Sequence, residues 1–177
     1  EAWGELVELY GPLIAHWCYR CGLDSNQASD IVQEVFVALS RSIGTYKPSN
    51  RSGAFRAWLW TVSSNKIRDF FRGQQAVLAR GGSTALADLQ TLPAEANVPE
   101  EEPTDAEQVH LLLERGLEQV RAEFEPRSWE IFERSVLDQI ATALVAEEFE
   151  VSAAAVRQTR SRILRRLRQQ LGDLDVG

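Results

Sequence analysis

Six arginines, Arg157, Arg160, Arg162, Arg165, Arg166 and Arg168, follow one another near the C-terminus with no acid between them. A run of that kind neutralises phosphates. A second stretch, FRAWLWTVSSNKIRDFFR from Phe55 to Arg72, sets two tryptophans and three phenylalanines beside Arg56, Lys66, Arg68 and Arg72. Cations for phosphates and flat apolar faces for bases are what a helix facing nucleic acid needs. A helix buried on two sides with one wet face has the same composition, so this stretch alone decides nothing. A third cluster, HWCYRC, brings His16, Cys18 and Cys21 together. A structural zinc site takes four ligands and no fourth stands nearby, so the cysteines read as core residues on the Ile14 face. His110 lies beside a leucine run with no nucleophile. Without a phosphate-binding glycine loop or a catalytic constellation, the chain is expected to be neither an enzyme nor the holder of a metal or cofactor.

Whole-chain charge opposes nucleic-acid binding until its distribution is considered. The 177 residues carry a formal net charge of −7. Residues 1–75 balance at +1, residues 76–125 at −8 and residues 126–177 at 0. The acidity therefore belongs to the middle, and both ends can meet a polyanion. The length suits one domain or two small ones. No apolar run is long enough to span a bilayer and no secretory leader precedes the first helix, so membrane insertion is not expected. Two cysteines do not make a disulfide scaffold, and the expected compartment is the cytoplasm. The chain opens at Glu1, which suggests a short N-terminal piece before it.

The elements that would position these groups are helices. Trp3, Leu6, Val7, Tyr10, Leu13, Ile14, Trp17, Cys18 and Cys21 follow helical spacing, with a kink or restart expected at Gly11-Pro12 and a stop at Gly22. Asp24 and Gln27 form a capping box for the next helix, whose buried stripe is Ala28, Ile31, Val32, Val35, Phe36 and Leu39. Its opposite face shows Asp30, Gln33, Glu34, Val37 and Arg41, with Val37 the apolar exception. A turn-rich loop, IGTYKPSNRSG, leads into Phe55–Arg72. There, Phe55, Trp58, Leu59, Val62 and Phe70 are expected to pack inward, Trp60, Ile67 and Phe71 to form a second strip, and Thr61, Asn65, Arg68 and Arg72 to form a polar, basic face. From Gly73 to Thr104, glycines, prolines and Glu100-Glu101-Glu102 read as a linker, apart from a helical turn that TALADLQTL can form.

The last segment reads as a helix from about Asp105 to Phe124, another opened by Pro126 and running through Leu137, then helix, tight turn, helix. Thr142 and Ser152 are the expected caps, and Ala143 and Ala146 allow close packing. Val156, Ile163 and Leu167 face inward, which leaves Arg157, Gln158, Ser161 and Arg162 outward. The small residues Ala153, Ala154 and Ala155 let this helix approach DNA. That is the layout of a helix-turn-helix whose second helix enters the major groove.

In this order, DIVQEVF, FRAWLWTVSSNKIRDFFR and VSAAAVRQTRSRILRRLR resemble the polymerase-binding, −10-reading and −35-reading helices of bacterial sigma factors of the extracytoplasmic-function type. The resemblance covers nearly the whole chain. It implies an all-α fold of two small domains, 1–75 and 105–177, joined by a flexible acidic linker, 76–104, the C-terminal domain being the helix-turn-helix. It further implies an initiation subunit that takes core RNA polymerase, through its β and β′ subunits, to promoter DNA and helps melt it, with an anti-sigma factor as a further partner. Asp30, Gln33, Glu34 and Val37 would face the polymerase. Lys47, Asn50, Arg51, Asn65, Lys66, Arg68 and Arg72, with Asp69 among them, would serve the −10 element. Arg157, Gln158, Ser161, Arg162 and Arg166 would serve the −35 element. Two positions depart from the family pattern: Ser64 stands where a basic residue is usual, and Glu150 stands in a turn where Gly or Asn is common. An autonomous helix-turn-helix regulator and a helical protein-binding adaptor are the alternative readings, and the regulator does not need the Asp30–Glu34 surface.

Overall fold

A computed structural model describes residues 2–47, 53–80 and 98–171, and among them every regular element is a helix. The chain divides into two units, Glu1–Val109 and His110–Gly177.

Among the described residues, the first unit is built on three α-helices, with a short 3-10 turn at Ile43–Thr45. Helix α1, Ala2–Arg20, runs through Pro12 without the expected restart. Pro12 is exposed, so the acceptor it leaves without an N–H lies on the wet side. Gly22, at φ +88°, ends the helix in a left-handed turn. Leu23 N donates to Cys18 O and Gly22 N to Tyr19 O, which uses two of the carbonyls that a helix end leaves open. Helix α2, Ser25–Ser42, starts with the capping box read from the sequence. Gln27 N donates to Asp24 Oδ1 at 2.9 Å, and Asp24 N donates to Gln27 Oε1 at 3.0 Å. Its buried stripe is Ala28, Ile31, Val35, Phe36 and Leu39, while Val32 is half-buried. Helix α3, Ala54–Ala79, is entered through Gly53 at φ +79°.

The inward face of α3 differs from the expected one. Leu59, Trp60, Ser63, Ser64, Ile67 and Phe71 are buried, whereas Phe55, Trp58, Val62 and Phe70 are half-buried. What read as a second strip, joined by Leu59 of the expected inward stripe, is the core face. The misassignment arose because aromatic residues lie on both sides of Leu59, and hydrophobicity alone does not rank them. The two serines satisfy themselves against the helix: Ser63 Oγ donates to Leu59 O and Ser64 Oγ to Thr61 O. At the centre, the Trp17 and Trp60 rings meet edge to face, 5.3 Å between centroids.

Residues 98–105 also belong to this unit. Val98 is buried, Trp60 Nε1 donates to Glu100 O at 3.3 Å, and Trp17 Nε1 donates to Thr104 Oγ1 at 2.9 Å. Arg56 Nε stands 3.1 Å from Glu102 Oε1. Within the stretch read as a linker, residues 98–104 thus lie against the first lobe, where two buried indoles find acceptors. The TALADLQTL turn falls outside the described residues.

The second unit begins within α4 (Ala106–Ala122), which is followed by α5 (Pro126–Phe132) and a single π-helical turn, Glu133–Leu137. Pro126 occupies the first turn of α5, where a missing N–H costs nothing. Next come α6 (Thr142–Glu148) and α7 (Ala153–Leu171). Ala141, not Thr142, holds the cap position of α6, and it makes no side-chain bond. Ser152 caps α7 as expected, its Oγ accepting from Ala155 N at 3.1 Å. Ile131, Val145, Ala146 and Val156 pack together with half-buried Ile140, Phe149, Val151 and Ala153 around them. Ala143 is exposed, so only Ala146 serves the close approach.

Glu150, in the turn between α6 and α7, lies at φ +52°. A residue with a Cβ pays about 1–2 kcal/mol there. Glycine would remove that strain while costing about 0.4–1 kcal/mol of unfolded-state entropy. Glu150→Gly is expected to raise stability by roughly 0.5 kcal/mol, and Glu150→Ala to give no gain. Urea unfolding of the three proteins checks this; a midpoint for the Gly variant below that of the Ala variant would mean that the turn is unstrained.

Candidate functional site

The outer face of α2 carries Asp30, Gln33, Glu34 and Val37, all exposed, and the structure brings the four together. With Ala38, Arg41 and Lys66 of α3 they line one shallow groove. Val37 is 51% exposed, which matters because an apolar side chain amid carboxylates gains by being covered. Lys66 Nζ lies 3.5 Å from Glu34 Oε2. Lys66, grouped by sequence with the −10 set, thus stands at the edge of the α2 face. The capping box explains the precision of this surface, since it fixes where the helix starts and so which residues point outward.

The outer face of α3 shows Thr61, Asn65, Asp69 and Arg72 to solvent. Arg72 Nη1 is 3.3 Å from Asp69 Oδ1. Arg68 is drawn to one flank, half-buried, with Nη1 donating to Ser64 Oγ at 3.3 Å. Ser64, the departure from the family pattern, is buried and works within the lobe as the acceptor for Arg68. Lys47 is exposed, and Asn50 and Arg51 lie outside the described residues.

Sequence reasoning missed an aromatic group at the start of α3. Tyr46 lies 4.7 Å from Trp58 and 5.5 Å from Phe55, ring centre to ring centre, while Tyr10 lies 5.0 Å from Phe55. Tyr46, Phe55 and Trp58 are all half-buried. Rings presented in this way offer stacking surface next to Lys47. No local periodicity joins Tyr46 to α3, because seven residues, 47–53, separate them in the sequence.

On α7, Arg157, Gln158, Ser161 and Arg162 are exposed. Together with Ala154 and Arg165 they line another shallow groove. The Arg162 guanidinium lies 5.4 Å from the Phe124 ring centre, a contact that holds a cation in place without neutralising it. Arg166 is placed differently. Its Nη2 and Nε donate to the Glu123 carboxylate at 2.6 and 2.7 Å, and its Nη1 donates to Gln170 Oε1 at 2.8 Å. Gln170 Nε2 in turn donates to Gln119 Oε1 at 2.7 Å. Arg166 therefore ties α7 to the end of α4 and is set apart from the other four residues of its predicted group.

Residues 6–77 match the family model for Sigma-70 region 2. Over 114 residues the chain is 32% identical to the RNA polymerase sigma factor CnrH of Cupriavidus metallidurans, covering 64% of this chain and 56% of the relative. It is 28% identical over 100 residues to the ECF RNA polymerase sigma factor SigE of Mycolicibacterium smegmatis, covering 56% and 36%. These two alignments span little more than half of one relative and about a third of the other. Similarity to the RNA polymerase sigma factor CarQ of Myxococcus xanthus is lower, 26% over 176 residues, but covers 99% of this chain and 92% of that one. Among the described residues, no helix is long and apolar enough to cross a membrane.

Both cysteines are buried and unbridged. Burial pushes the Cys18 thiol up to about 12, with Cys21 adding to the effect. Burial also raises Cys21, opposed by the nearby charges of Arg68 and Arg20. Only thiolates react, so neither cysteine is expected to label at pH 8 unless the unit unfolds. A thiol raised in the folded state stabilises fully below its unfolded value and loses that contribution as pH rises towards the folded value. Stability is therefore expected to fall between about pH 9 and pH 12. Thiol titration in buffer and in urea checks the first expectation; rapid native labelling would place a thiolate at the surface.

Proposed function

Because the chain belongs to the sigma-70 family, in its extracytoplasmic-function type, we propose that it binds core RNA polymerase and directs it to promoters. The reading rests chiefly on one observation: within the region 2 match, Asp30, Gln33, Glu34 and Val37 form an exposed face opposite a complete core stripe. Three carboxyl or amide side chains around an uncovered valine suit a basic protein partner with an apolar contact point. In this reading the α2 face meets the β′ subunit and the second domain meets β. An anti-sigma factor would act by covering the same surfaces, and the protein would work in the cytoplasm as a binding subunit without catalytic groups.

Promoter reading divides between the domains, 1–75 for the −10 element and 105–177 for the −35 element, with 76–104 between them. Asn65 and Arg72 would touch the −10 strand, with Lys47, Asn50 and Arg51 from the preceding loop and Lys66 and Arg68 at the flanks. The aromatic group of Tyr46, Phe55 and Trp58 would stack beside a separating duplex. The first turns of α7 would enter the major groove, with Arg157, Gln158, Ser161 and Arg162 at base edges. Arg166 would act on DNA indirectly, by holding α7 at the angle from which those residues reach.

Replacing Asp30 and Glu34 together with Arg is expected to weaken polymerase binding at least tenfold in a pull-down while leaving the helical circular dichroism unchanged, since both side chains are exposed. Unchanged capture by a folded variant would overturn the assignment. On promoter variants, Arg157→Ala or Arg162→Ala is expected to erase discrimination at one or two −35 positions, about 1–3 kcal/mol for each lost bidentate contact. Arg166→Ala should instead lower the thermal midpoint and weaken all promoters alike. A series of duplex promoters transcribed with each variant and core polymerase checks this. An intact −35 preference in Arg157→Ala and Arg162→Ala would mean that α7 is not the reading helix.

A further inference from the structure

Residues 98–105 carry a feature that promoter reading does not use. The segment, VPEEEPTD, is neither helix nor strand, and Val98 is its one buried residue. It is held instead by a polar relay. Trp17 Nε1 donates to Thr104 Oγ1 at 2.9 Å, Thr104 Oγ1 donates to Glu102 Oε1, and the same carboxylate oxygen faces Arg56 Nε at 3.1 Å. Two further contacts flank the relay. Trp60 Nε1 donates to Glu100 O at 3.3 Å, and the buried His16 Nε2 faces Asp105 Oδ2 at 4.0 Å. Each partner on the helix side comes from α1 or α3 and is fixed by the core, whereas each partner on the segment side stands on irregular chain.

We propose that residues 98–105 form a releasable strap that closes as one piece over the Trp17–Trp60 pair and opens without unfolding the three helices. Its composition carries the argument. A segment with one buried apolar residue and five polar contacts draws little from the hydrophobic effect, so it belongs to the least stable end of the unit, while Trp17 and Trp60 belong to the most stable. The relay also makes closure cooperative. Thr104 is acceptor for the indole and donor to the carboxylate, so losing one link weakens the next. Closed, the strap keeps the residues that lead into α4 on α1 and α3. Open, it adds its eight residues to the chain between α3 and α4, up to about 27 Å of extra reach at full extension. The strap is thus a device for setting how far that connection can extend, and its acidic side chains are what any polyanion approaching Arg56 must displace.

The test uses hydrogen exchange at the indole N–H groups, followed by nuclear magnetic resonance on the full chain. Five tryptophans give five indole signals, assigned by single Trp→Phe variants. Trp3 is exposed and marks the unprotected rate, and Trp129, whose Nε1 donates to Glu133 at 2.8 Å in the second unit, is an internal control. The Trp17 and Trp60 protons are expected to exchange at least tenfold slower than that of Trp3, and at least tenfold faster than the slowest amides of α1 and α3. Thr104→Val should speed both protons together by tenfold or more, with Trp129 and the helix amides unchanged, and Thr104→Ser should restore them. If the two indoles exchange only as slowly as the core amides, or if Thr104→Val loosens α1 and α3 equally, the segment is permanent core. If they exchange like Trp3, or respond to Thr104→Val singly, there is no strap. Any of these results overturns the proposal.

Discussion

Two indole N–H groups set the terms for the first unit. Trp17 and Trp60 supply the largest flat surfaces of its core and meet edge to face, yet each brings a donor that must be satisfied where water is excluded. Three helices have little to offer such a donor, because their carbonyls are already spent on their own ladders. The acceptors come from chain beyond the helices, the Glu100 carbonyl and the Thr104 hydroxyl. Placing Thr104 at that point brings Glu102 to Arg56 and Asp105 to His16. The acidity of the middle of the chain is therefore partly structural, since some of it answers Arg56 of the first lobe.

The second unit solves a different problem, how to hold a long basic helix without covering its exposed basic side. Half of α7 is apolar packing through Val156, Ile163 and Leu167. The remaining restraint is electrostatic and sits at the far end, where Arg166 and Gln170 grip Glu123 and Gln119. One arginine is thus committed to position the others. The left-handed Glu150 belongs to the same solution: the strained turn directs Val151 back to the Ile131–Val145 cluster and so aims the first turn of α7.

Most of the helices were legible in the sequence because their signals are local. The capping box at Asp24, the glycine stop at Gly22, Pro126 and Ser152 each act within one turn of the residue that reveals them. The α2 face was legible for the same reason: a fixed start and a clean apolar stripe leave one possible outside. Failures occurred where the deciding partner is remote. The inward side of α3 depends on which ring meets Trp17, more than 40 residues away. The roles of Arg166 and Arg56 depend on Glu123 and Glu102, separations of 43 and roughly 46 residues that leave no periodic trace. The strap was read as linker because it lacks periodicity, and hydrogen bonds to indoles require none.

The same distinction bears on which charges can be used for recognition. A cation already paired inside its own unit must break that pair to meet a phosphate, and the loss offsets much of the gain. Arg56 and Arg166 are in that position, with their carboxylates 3.1 and 2.6 Å away. Arg157 is exposed on the outer side of α7, and Arg162 lies against the face of Phe124, which leaves its charge available while limiting its motion. Aromatic positioning thus preorganises a cation at less electrostatic cost than a carboxylate does. Arg162 is accordingly an arginine whose charge the fold orients and leaves available, and Arg166 one whose charge the fold has already used.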